Sequence, residues 1–199
     1  MLLFPIRWLL RQVLGLGVTF LVVMLGALWA LKWVPFPPLA VVKGFFSGQS
    51  VRWSWTSAED QPVLLRRGIE AYSERPTHQK KTSLAERTAQ QLLYWGEDTP
   101  GSAWMGLLLE VLWDKETLLT FYLNSLRFEG EKGEAIYGVG AASQYLYNKP
   151  LRDLSAEEIA ELTVRQDWPY LAKPLPPPLA QQGYRLIGRL ASLESAHAP

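Results

Sequence analysis

The chain has 199 residues and carries 20 Lys/Arg against 19 Asp/Glu. Its length fits one domain with an appendage, and a charge balance this close to zero implies no polyanionic partner such as a nucleic acid. There is no cysteine, which excludes disulfides and thiolate metal sites, and His78 and His197 are too few for a histidine-rich metal centre.

The first element is apolar. Residues 13–31 carry no charge, and as a helix they rise about 28 Å, enough to cross the hydrocarbon core of a bilayer. Arg7 and Arg11 precede the run, and Trp8, Trp29 and Trp33 sit near its ends, where an aromatic belt lies. A cleaved signal peptide is the competing reading. The run is long for one, and Leu-Trp-Ala lacks the small-x-small pattern of a cleavage site. Arg7 and Arg11 are balanced by Lys32, Lys43 and Arg52 beyond the run, so charge bias does not set the orientation. The expected layout is a cytoplasmic N-terminus over 1–12, a transmembrane helix over 13–33, a membrane-proximal linker over 34–56 and a domain over 57–199.

Pro35, Pro37 and Pro38 end the first helix. Residues 39–46 are apolar with one lysine. They read either as a segment on the membrane surface with Phe45 and Phe46 inserted, or as core. Val51-Arg52-Trp53-Ser54-Trp55 alternates and predicts a short strand. A helix follows over 64–72, then a polar loop over 74–81 that contains Pro76. Ser83 and Glu86 have capping-box spacing for a helix running to Trp95. Met105, Leu108, Leu109 and Leu112 mark another amphipathic helix.

Residues 113–149 read as a helix, a glycine-punctuated loop and a second helix. Asp114 is placed to cap the first of these, Leu118, Leu119, Tyr122 and Leu123 recur at helical spacing, and Asn124 is placed to close it in a left-handed conformation. Gly130, Gly133, Gly138 and Gly140 predict turns or a close approach of backbone. Ser155 and Glu158 form a second capping-box pair. Five prolines keep 168–178 extended, and Leu186, Leu190 and Leu193 mark a last helix. The fold class expected from these elements is mainly α with a minor strand component.

The order Lys115–Asn124, Tyr137-Gly138-Val139, Ala141-Ala142, Tyr145-Leu146, Lys149, then Leu154-Ser155 with Glu158 and Ala160 resembles the core of the family 51 peptidoglycan glycosyltransferases, most closely the monofunctional biosynthetic peptidoglycan transglycosylases. The family pattern there is K-x-x-I-L-x-x-Y-L-N, then Y/F-G-V/I-x-A-A-x-x-Y-F-x-K, then L-S-x-x-E-x-A. The resemblance implies a lysozyme-like helical domain, outside the cytoplasmic membrane of a bacterium and anchored by the N-terminal helix. It also implies a reaction in which lipid-linked disaccharides are polymerised. A glutamate acts as general base on the acceptor hydroxyl, which attacks the anomeric carbon of the donor. A lipid pyrophosphate leaves, stabilised by basic side chains and usually a divalent cation. No ligand set for that cation is recognisable in the sequence. The implied partners are the bilayer, a lipid-linked peptidoglycan precursor or glycan strand, and other cell-wall synthesis proteins.

The upstream motifs depart from the family. Glu59-Asp60 matches the dipeptide of the motif E-D-x-x-F-x-x-H-x-G, whereas Glu74 fits the order of motifs better with Arg75 in place of the aspartate. Both stay open as the catalytic base. Residues 82–87 fall on S-T-I-T-Q-Q of the next motif, and Gln90 and Gln91 fall on its lysine and asparagine. In the R-K-x-x-E motif, Ser102 takes the place of the second essential glutamate, and 98–103 hold no basic residue. What the resemblance leaves for a substrate cleft is Lys115, Tyr122, Asn124, Arg127 and Gly138. The expected function is a transferase-like protein of cell-wall synthesis that binds or scaffolds with catalysis lost or weakened. An active enzyme with a shortened site is the alternative, and a membrane-anchored interaction module unrelated to peptidoglycan is the second.

Overall fold

A computed structural model describes residues 15, 17–27, 29–30, 34–73, 82–93 and 100–197. The chain divides into two compact units, residues 1–36 and 37–199. In the first, the described residues 15, 17–27 and 29–30 are helical, and Phe20, Val22 and Val23 are exposed. The rest of the apolar run lies outside the described residues. Among those described, no helix is long and apolar enough to cross a membrane.

The second unit is mainly helical, as the periodicity predicts. It begins with α1 (Leu39–Phe46), strand β1 (Val51–Trp53), α2 (Val63–Ser73), α3 (Leu84–Leu93) and α4 (Pro100–Leu112). Then come α5 (Lys115–Ser125), β2 (Arg127–Glu129), β3 (Ala135–Tyr137), α6 (Val139–Tyr147), a short 3-10 turn (Leu151–Asp153), α7 (Ala156–Val164) and α8 (Pro177–His197). Glu74, the polar loop 74–81 and Trp95 lie outside the described residues.

Of the two readings of 39–46, core packing holds for one face of the helix. Val41 and Gly44 face inward, and a Cβ on Gly44 would lie 2.4 Å from a methyl of Val51, so α1 packs closely on β1. Phe45 and Phe46 point out, with Phe46 89% exposed.

The caps follow the sequence. The Asp114 carboxylate accepts the backbone N–H of Thr117 at 2.8 Å and starts α5. That hydrogen bond holds its carboxyl below the ordinary aspartate range. Ser155 and Glu158 form a complete capping box on α7, and the Glu158 carboxylate also accepts Lys149 Nζ at 2.7 Å. Two consecutive prolines, Pro177 and Pro178, open α8, where missing N–H groups cost nothing.

α5 is the hub. Every residue from Leu118 to Ser125 is buried, which marks a helix enclosed on all sides. Phe121 stacks on Trp113 with ring centroids 4.5 Å apart and meets Trp55 edge-on at 5.0 Å. Leu65 and Ile69 of α2, Leu123 of α5 and Leu162 of α7 join the core around it.

One expectation for the central stretch needs correcting. Asn124 does not close α5 in a left-handed conformation: it is helical and buried, and Leu126 caps the helix. The left-handed asparagine is Asn148, φ 52°, at the end of α6. The glycine-punctuated loop contains a hairpin. β2 pairs antiparallel with β3, and β1 adds to the far side of β3 in parallel, Val51 opposite Ala135. Gly133, φ 73°, makes the tip, and Gly130 N–H donates to Glu134 O at 2.9 Å to close it. On the other edge of β2, Glu129 exchanges backbone bonds with Pro169 O and Leu171 N–H, both at 2.8 Å. That segment is fixed by Arg165, 3% exposed, which ion-pairs with Glu161 and donates to the carbonyls of Tyr170 and Lys173.

Candidate active site

The sequence candidates fall into two neighbourhoods around α5. The first lies where α5 ends. The Asn124 side chain is 1% exposed, and its amide makes a full set of internal hydrogen bonds. Oδ1 accepts the backbone N–H of Thr56 at 2.7 Å, and Nδ2 donates to the carbonyls of Thr56 and Thr120, both at 2.8 Å. One side chain thus satisfies both backbone groups of a residue in the segment after β1, as a neighbouring strand would. Gln61 Nε2 donates to the same Thr56 carbonyl at 3.0 Å.

Gly138 sits across this junction. Its φ is 88°, and an added Cβ would lie 3.1 Å from Asn124 O and 3.2 Å from Ser54 O. Only glycine meets both conditions at once. Gly138→Ala is expected to destabilise the fold by about 2 kcal/mol, from left-handed strain and backbone crowding together. A thermal midpoint unchanged in the variant would show that the segment relaxes without cost. Glu59 stands at the end of the segment so held. It is exposed, in a turn where Ser57 Oγ donates to Asp60 Oδ2 at 2.9 Å.

The second neighbourhood lies along α5 facing α2, α3 and the end of α7. The Tyr122 hydroxyl, 4% exposed residue and all, donates to Gln166 Oε1 at 3.1 Å. Burial pushes its phenol pKa up, against the opposing pull of the Arg87 guanidinium, which hydrogen-bonds to it. Tyr122 is therefore a neutral donor at physiological pH. Beside it the Tyr72 hydroxyl donates to Asp167 Oδ2 at 2.8 Å. Lys115, at the start of α5, is ion-paired with Glu70 of α2, and Arg66 of α2 pairs with Glu116 at 3.0 Å. Arg127 is exposed on β2, opposite Tyr137 in register.

Ser102 faces the interior. It is 1% exposed on α4, where its hydroxyl donates to Glu86 Oε1 and accepts from Gln90 Nε2, both at 3.4 Å. One turn on, a Cβ at Gly106 would lie 2.7 Å from Glu86 Cα, so the α3 and α4 backbones approach closely there. Position 102 thus points into a helix–helix contact.

The structure brings Asn124 and Gly138 together and sets Tyr122 and Lys115 on one helix, with Glu59, Arg127 and Ser102 elsewhere. Glu74 lies outside the described residues. Arg87, Gln166, Tyr72 and Asp167 were not singled out by the sequence, although Arg87 falls on a glutamine of the second family motif. Around the buried Tyr122 hydroxyl, which is committed to Gln166, the partly buried Gln166 and Arg87 carry amide and guanidinium groups, which can orient a polar ligand. The described residues contain no group of three or more Asp, Glu or His able to hold a metal ion.

Comparison with known proteins agrees with this core. The Transglycosylase family profile matches residues 98–187, from α4 into α8. A biosynthetic peptidoglycan transglycosylase of Aeromonas hydrophila is 30% identical over 183 residues, covering 81% of this chain and 76% of its own. One of Shewanella amazonensis is 31% identical over 158 residues, covering 72% and 60%. One of Shewanella oneidensis is 28% identical over 205 residues, covering 85% and 83%.

Proposed function

From the premise that this chain belongs to the biosynthetic peptidoglycan transglycosylase family, we propose that it serves bacterial cell-wall synthesis as a membrane-anchored, transglycosylase-like protein. It binds a lipid-linked peptidoglycan precursor or glycan strand, and its own glycosyl transfer is lost or greatly weakened. Residues 13–33 anchor it by a single pass in the cytoplasmic membrane, with the domain on the outer side.

The observation that carries the reading is Ser102. Glycosyl transfer of this kind needs a carboxylate within hydrogen-bond reach of the acceptor hydroxyl and positive charge at the departing pyrophosphate. Where the family pattern has its second glutamate, this chain has a buried hydroxyl in contact with Glu86 and Gln90. A second support is that Lys115 is already committed to Glu70. In this reading Arg87 and Gln166, positioned by the buried Tyr122 hydroxyl, remain a polar wall for the glycan. Asn124 and Gly138 hold residues 54–56 in place.

The test supplies the purified full chain, in detergent, with lipid-linked disaccharide. The expected result is binding with no polymer above background. Ready polymerisation, abolished by Glu74→Gln or by Glu59→Gln, would establish instead an active enzyme with a shortened site. Neither binding nor polymer would point to an interaction module.

A further inference from the structure

We infer that α1 seats the folded domain on an anionic phospholipid surface, with Phe45 and Phe46 below the headgroups. The inference rests on the membrane-anchored reading above and adds which face of the domain meets the lipid and which lipids it selects.

Three observations carry it. The first is the division of α1 into two faces. Val41 and Gly44 are buried, with Gly44 set against Val51, so the helix is fixed on the domain. Leu39 is 44%, Phe45 65% and Phe46 89% exposed. Two adjacent aromatics with no polar tip, both turned outward from a well-packed helix, cost free energy in water. A bilayer interface removes that cost.

The second is the charge distribution. On the α1 side of the apolar run, residues 32–58 contain three basic side chains, Lys32, Lys43 and Arg52, and no acidic one, with Arg52 also 3.7 Å from Glu134. Residues 59–199 hold fifteen Lys/Arg against nineteen Asp/Glu. A near-neutral protein is thus basic in the stretch that carries α1 and acidic beyond it. Near anionic headgroups each basic residue is attracted and each acidic one repelled within about a Debye length of roughly 8–10 Å. A protein partner of the same face would need apolar complementarity and gives no reason for the acid-free stretch.

The third is covalent reach. Seven residues, 32–38, lie between the end of the uncharged run at position 31 and Leu39. Fully extended they span at most about 28 Å, and Pro35, Pro37 and Pro38 stiffen them. With the run in the bilayer, α1 stays within reach of the surface.

Because the chain has no cysteine, Phe46→Cys can carry a single environment-sensitive fluorophore, and Phe46 is exposed enough that its loss leaves no cavity. Glu157→Cys, exposed on α7, serves as control. The full chain is reconstituted in nanodiscs of mixed phosphatidylglycerol and phosphatidylcholine. The label at 46 is expected to emit further to the blue than the label at 157, with iodide quenching lower by about threefold, as befits a side chain about 5–10 Å below the headgroup plane. In phosphatidylcholine alone at about 0.5 M salt, where charge is screened, that protection is expected to shrink. A chain that enters the discs but shows equal quenching at 46 and 157 overturns the seating and leaves the anchor standing. Protection identical in both lipids overturns the anionic preference and leaves a purely apolar or protein contact. A chain that stays out of the discs overturns both readings.

Discussion

Phe121→Ala is expected to lower the stability of the domain by about 4 kcal/mol, the usual cost of deleting a buried aromatic ring. That corresponds to a fall of roughly 10 °C in the thermal midpoint. The size follows from position. Phe121 is 2% exposed in the middle of the most enclosed helix, with Trp113 stacked on one side and Trp55 edge-on to it. Removing the ring leaves a void between two large, stiff indoles that cannot collapse into it. Both indoles also lose an aromatic partner, worth about 0.5–1.5 kcal/mol beyond area burial for each pair. Phe121→Leu fills much of the space and is expected to cost about half as much. Thermal unfolding with tryptophan fluorescence measures both. A loss below about 1 kcal/mol for the alanine variant would be irreconcilable with this core.

The second large effect is expected at Asn124. Asn124→Ala leaves Thr56 N–H without its acceptor and removes one of the donors to Thr56 O and to Thr120 O, in a place where Asn124 itself is 1% exposed. Each buried group left unsatisfied costs about 1–3 kcal/mol, although Gln61 still reaches Thr56 O. The expected total is about 3 kcal/mol. Asn124→Asp separates the hydrogen bonds from the packing. It keeps the size and the acceptor and loses the two donations, so it is expected to be nearly as damaging, because a carboxylate then faces two carbonyl oxygens. If the aspartate variant were as stable as the parent, the amide would not be the clip described. The same variants are expected to speed proteolysis within residues 54–61, the segment that Asn124 ties down.

How far the sequence was legible depended on whether a signal was local. The caps at Asp114 and Ser155 were readable because a cap is decided within four residues. The helices were readable because apolar residues at 3.6-residue spacing need no knowledge of the rest of the chain. The β2–β3 hairpin was not: three-residue strands are too short to show alternation, and Gly130 and Gly133 looked the same whether they ended a hairpin or a loop. The left-handed helix end expected at Asn124 fails for a related reason. Its true partner, Thr56, is 68 residues away, and nothing in residues 120–128 announces it. Motif order identified the family, while the fate of its chemistry rested on single positions. Ser102 was identified in sequence, but its inward direction comes from the α3–α4 packing at Gly106. Arg87 and Gln166 escaped notice because they gain meaning only when α3 and the end of α7 meet Tyr122.

The small sheet has a consequence for the order in which the chain acquires its structure. β1 pairs with β3, Val51 opposite Ala135, and β2 is completed only by the segment at Pro169–Leu171. Every one of these contacts joins residues remote in sequence, so the loop entropy of closing them is lost before any ladder bond repays it. The helices form from local contacts, whereas β1 has no partner strand until about eighty further residues have been made. During that interval Val51 and Trp53 form an unpaired apolar edge, and Arg52 between them supplies the charge that keeps such an edge from joining another chain. The sheet is therefore expected to close after the helices, leaving β1 the last exposed edge of an unfinished chain.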